Sequence, residues 1–118
     1  MLKLSFLDLY WLQGVYTMGS RLELHEVLCQ ILGSRSVYFQ PPEDIIIKYP
    51  AIVYSRESIE NTFANDQVYS QHKAYQVTVI DRDPDSEIVD KISRMKMCSH
   101  STHFVVDNLN HDVFIIYY

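Results

Sequence analysis

Residues His103–Tyr118 read HFVVDNLNHDVFIIYY, two apolar runs around a short cluster of acids and amides. Asn and Asp tolerate left-handed backbone and bond to their own main chain, so Asp107, Asn108, Asn110 and Asp112 suit a hairpin connection between two strands. A metal site or an acid/base pair would use the same residue types, and the turn is the simpler account. The stretch therefore predicts strands over THFVVD and DVFIIYY, joined by NLNH.

Working back along the chain, DPDSEIVDKISRM carries the strongest helix pattern. Asp83 is placed to cap it, Pro84 suits its first position, and Asp85 and Glu87 put negative charge at the positive end of the dipole. Ile88, Val89, Ile92 and Met95 supply the buried stripe. Before it, KAYQVTVIDRD alternates, with Tyr75, Val77 and Val79 on one side and Gln76 and Thr78 on the other, as a half-buried antiparallel strand does. Residues 57–73, ESIENTFANDQVYSQHK, are polar and lack helical periodicity, and read as a long connecting loop.

SVYFQPPEDIIIKYPAIVYSRE has strand-forming content broken by Pro41, Pro42 and Pro50, with a strand predicted from Ala51 to Arg56. At Leu24, Val27, Leu28 and Ile31 the apolar spacing is helical, between Ser20 as N-cap and Gly33 as C-cap. The fold class follows: α+β, about four strands in an antiparallel or mixed sheet, with two main helices packed on one face.

The chain has 118 residues, 47% hydrophobic and 21% charged, a composition for one folded domain. A net charge of -5 disfavours sequence-specific nucleic-acid binding, since no broad basic field collects phosphates; Lys91, Arg94 and Lys96 are offset by the acids before them. Cys29 and Cys98 form no CxxC pair and point to a reducing compartment. Residues 1–17 resemble a secretory signal, but Asp8 interrupts the apolar run, no small-x-small cleavage site follows, and the run is too short to span a bilayer. A natural domain start at Met18 is expected, with residues 1–17 an upstream extension or an added element, and residues 18–118 the domain; Glu23 stands where myristoylation after Gly19 would require Ser or Thr.

The chemistry-bearing residues offer little to an enzyme. Three scattered glycines build no phosphate loop, and there is no GxSxG or HExxH. A zinc site drawn from Cys98, His100, His103 and His111 has spacings unlike paired structural knuckles, and regular strand alternation would point His100 and His103 to opposite faces. His25 and His72 read as surface or core-edge residues. No cofactor is implied. Nine tyrosines and five phenylalanines are compatible with a small core and also suit wet protein interfaces.

Taken together, YPAIVYSRE, YQVTVIDRDPDSEIVDKI and HFVVDNLNHDVFIIYY resemble a family of small proteins from the tail-gene region of long-tailed bacteriophages and prophages, the tail terminators, also called tail completion or minor tail proteins. The resemblance covers roughly Met18 to Tyr118. It implies a structural virion protein and not an enzyme: a homohexameric ring at the head-proximal end of the tail tube, which ends tube polymerisation and meets the head-completion or neck protein. Assembly would take place in the host bacterial cytoplasm, with DNA passing through the lumen and no membrane involved. The contacts are expected on the segment Glu57 to Lys73 and around Asn108 to Asp112, through Asn61, Phe63, Asn65, Tyr69, His72, Asn108, Asn110, His111 and Tyr118. The alternatives are a head-closure or adaptor protein of the same neck and, from another class, a small metal-dependent enzyme on the Cys98–His111 hairpin.

Overall fold

The computed structural model describes residues 20–64 and 67–118, with the side chains of 62–64 and 67–71 excepted. Asn65 and residues 1–17 therefore lie outside the described residues, as do the side chains of Phe63 and Tyr69. The elements run α1 (Arg21–Leu32), β1 (Val37–Phe39), β2 (Ala51–Ala64), β3 (Gln67–Asp81), α2 (Glu87–Ser93), β4 (Cys98–Val106) and β5 (Leu109–Tyr117). They form an α+β fold whose single five-stranded sheet has the order β1-β2-β3-β5-β4. The sheet is mixed: β1 lies parallel to β2, and every other pair is antiparallel.

Helix α1 is bounded as its sequence requires. The Ser20 hydroxyl accepts from the Glu23 amide at 3.1 Å, and Gly33, at φ 79°, donates its N–H to the Cys29 carbonyl. Leu24, Leu28 and Cys29 are buried beneath it, and Ile31 packs alongside. They meet one face of the sheet: Ile52 and Tyr54 of β2, Tyr75, Val77 and Val79 of β3, and Phe114 and Ile116 of β5, with Ile92 of α2 completing the cluster. Register brings these side chains together, since Tyr54 opposes Val77 and Val77 opposes Phe114.

Three sequence expectations change. Helix α2 starts later, with Ser86 as N-cap accepting from Ile88; Asp81 and Asp83 instead accept backbone N–H bonds from Asp83 and Asp85, forming a turn ahead of the helix. The closing hairpin connection is only Asp107–Asn108, at φ 52° and 61°, the left-handed pair of a two-residue turn, so Asn110, His111 and Asp112 belong to β5. The expected loop 57–73 is instead a hairpin of two long strands, on which Glu57, Ile59, Glu60 and Asn61 are exposed and His72 and Lys73 half-buried.

Candidate functional site: a projecting ribbon and an open sheet edge

β2 and β3 outrun their neighbours. β1 pairs with β2 only from Ile52 to Tyr54, and β5 pairs with β3 only from Ala74 to Asp81. Beyond those limits β2 and β3 pair only with each other, from Ile59↔Lys73 to Ala64↔Gln67. At roughly 3.4 Å per residue this ribbon reaches about 20 Å from the sheet. Among the described residues, no other strand pairs with either of its flanks. An isolated two-stranded hairpin is marginal in water, so such a ribbon gains most from a partner. Glu57, Ile59, Glu60 and Asn61 are exposed on it.

The second feature lies on the far side of the sheet. β4 is the edge strand, paired with β5 on one flank and with no described strand on the other. Every residue from Ser99 to Val106 is exposed, including Phe104 at 42%, Val105 at 57% and Val106 at 50%. Its first exposed residues are polar and its last three apolar, and an edge strand that no described strand covers is a template for adding another.

The expected interface residues are divided between opposite ends of this sheet. Asn61, Phe63, Tyr69 and His72 lie along the ribbon, and Tyr118 is at its root, where its amide donates to the Lys73 carbonyl at 2.9 Å. Asn108, Asn110 and His111 lie at the other end, beside the β4–β5 turn. The Asn110 amide donates to the Asp81 and Arg82 carbonyls, holding the turn against the end of β3. The His111 ring stacks on Phe104, with 4.6 Å between centroids, and its Nδ1 meets the Leu109 carbonyl at 3.0 Å.

The histidines of β4 depart from strand alternation. A bulge between His100 and Thr102 inserts a residue and resets the alternation, so that both imidazoles reach the same carboxylate oxygen. His100 Nε2 lies 3.1 Å and His103 Nδ1 3.0 Å from Asp112 Oδ1, and His100 also packs edge-on against Phe114. The Asp112 side chain is 12% exposed, against 46% and 43% for the two histidines. Two side-chain bonds to one buried carboxylate clamp the edge strand to β5. Sequence reasoning missed the clamp because a bulge leaves no reliable mark in a run such as CSHSTH. Among the described residues, no group of three or more His, Cys, Asp and Glu is arranged to hold a metal ion.

A different polar cluster closes the core beneath α1. The Tyr54 hydroxyl accepts from Arg21 Nη1 at 3.3 Å and lies 2.7 Å from His25 Nδ1, while the Arg21 guanidinium covers the Phe39 ring at 4.4 Å. The arrangement that uses every proton has the hydroxyl donating to a neutral imidazole. Burial, followed by the nearby Arg21 charge, lowers the His25 pKa below its ordinary value, and burial raises that of Tyr54. A histidine whose folded pKa lies below its unfolded one contributes stability that is complete above about pH 6.5 and is lost as pH falls toward the folded pKa. Urea midpoints at about pH 7.5 and pH 5.5 should show wild type losing more than His25→Gln on acidification; equal losses would count against the bond.

The chain matches no family model, no curated protein and no solved structure. Its surfaces must therefore be read on their own chemistry. No helix among the described residues is long and apolar enough to cross a membrane.

Proposed function

We propose that this chain is a structural subunit of a bacteriophage tail, a terminator that closes into a ring on the head-proximal end of the tail tube, ends its polymerisation and offers a joining surface to the neck. The observation that carries the reading is the pairing, in one small domain, of a projecting ribbon with an open edge strand on another margin of the same sheet. Two unlike surfaces on one subunit make a heterologous contact, which generates a ring when its rotation closes. The resemblance of three sequence stretches to tail terminators supplies the setting: a homohexamer, a tube protein below, a head-completion protein above, and DNA passing through the lumen. The net charge of -5 suits a conduit that must not retain a polyanion.

A native mass spectrum of the purified protein tests this reading, because it reports oligomer number and bound metal together. A metal-free hexamer is the expected result. A monomer carrying one zinc per chain would replace the reading with a hairpin metalloenzyme, and a metal-free monomer would favour a neck protein that assembles only on its partner.

A further inference from the structure

We infer that residues 1–19 lie across the face of the sheet opposite α1 and α2 and complete a second, smaller core there. Strand alternation assigns the side chains of that face. Ile52 and Tyr54, Val77 and Val79, and Phe114 turn toward the helices, so Ala51 and Val53, Thr78 and Ile80, and Val113 turn the other way. Register sets them side by side, with Ala51 opposite Ile80, Val53 opposite Thr78 and Thr78 opposite Val113. A sheet with one wet face alternates apolar with polar residues. The runs AIVY and VFII do not alternate, which is the mark of strands covered on both faces.

Burial agrees. Ala51 is 0%, Val113 6% and Ile80 7% exposed, although none of the three belongs to the core cluster beneath the helices. Gln76, one row nearer the ribbon, is exposed and bounds the patch. The long connection from β1 to β2 does not supply the cover, since apart from Pro41 and Ile47 residues 40–50 are exposed. Chemistry and reach point to the segment before α1. MLKLSFLDLYWLQGVYT is predominantly apolar, with Lys3 and Asp8 its only charges. It leads into α1 at the β1 margin of the sheet, where Arg21 meets the Tyr54 hydroxyl and covers Phe39, and β1 is only three residues long. From β1 to β5 is three strand spacings, about 14 Å, whereas residues 1–19 reach about 28 Å even at the rise of a helix. A second copy or a separate partner would have to reach a patch that the chain already shields from water.

Trp11 is the chain's one tryptophan and lies in this segment, so its fluorescence reports the contact directly. In the folded full-length chain its emission should be blue-shifted, and its quenching by acrylamide several-fold weaker than in the urea-unfolded chain, at every protein concentration. Val53→Lys, which puts a charge into the patch, should shift the emission to the red while circular dichroism still reads a folded chain; Glu60→Lys, on the ribbon, should leave it unmoved. If Val53→Lys disturbs folding, Val53→Ser replaces it, with a smaller red shift expected. A chain beginning at Met18 should bind the apolar dye anilinonaphthalene sulfonate, and the full-length chain should not. A Trp11 as accessible in the folded chain as in urea, or one that is protected yet indifferent to the Val53 variants, overturns the inference. Protection lost on dilution together with the oligomer also overturns it, and gives the segment to a neighbouring copy. The ring reading stands or falls separately, on the oligomer mass.

Discussion

A chain in which residues 59–73 are replaced by Asn-Gly should fold with a melting temperature within a few degrees of wild type and remain monomeric at every concentration tested. The excision joins Ser58 to Ala74, which already face each other in register, through a two-residue turn that antiparallel strands accept. Among the described residues, none of the core cluster lies in the removed segment; its nearest members are Tyr54 and Tyr75. The named hydrogen bond lost is that from the Tyr118 amide to the Lys73 carbonyl, a net effect of about 1 kcal/mol. Assembly should disappear because one of the two unlike surfaces is gone and a heterologous contact cannot form from the other alone. Size-exclusion chromatography with light scattering reads the mass and a thermal melt reads the fold. An excised chain that still forms the wild-type oligomer would move the contact elsewhere.

The ribbon was also the least legible part of the sequence. Helix α1 announces itself through Ser20, Gly33 and the spacing of Leu24 and Leu28, all local signals that the structure uses as written. The alternation of Tyr75, Val77 and Val79 survives into the sheet because one face of β3 is covered by helices. From Glu57 to Lys73 that signal ends: none of the core cluster among the described residues comes from this stretch, so no apolar alternation marks its strands. Its polar composition therefore reads as loop. The same limit applies at His100 and His103: a single inserted residue inverts the side-chain alternation, and only the register with Asp112 reveals that the two share a face. Asp83 and Pro84 misplace the start of α2 for a related reason, because the Asx turn Asp81–Asp83–Asp85 uses the residue types of a helix cap one turn early.

The core should respond far more sharply than the ribbon. Phe114→Ala should cost about 3–5 kcal/mol, a third to a half of the stability of an ordinary domain of this size. Phe114 is fully buried on β5, between β3 and β4, opposite Val77 and in edge-on contact with His100. Its removal opens a cavity that strands held on both flanks cannot collapse to fill. The measurement belongs in the ribbon-excised chain, where unfolding is not coupled to association and the urea midpoint reports the fold alone. A shift below about 1.5 kcal/mol would mean that the sheet repacks around the gap, and that Phe114 is not the support inferred for it. The loss should also be uneven. Phe114 backs His100, His100 and His103 fasten β4 through Asp112, and β4 is the edge proposed to receive the next subunit. Amide exchange in full-length Phe114→Ala should therefore rise more over Cys98–Val106 than over Ala51–Tyr54, which lies on the far side of β3. Assembly should weaken even under conditions where the monomer remains folded, because a strand that frays from its own sheet cannot template another.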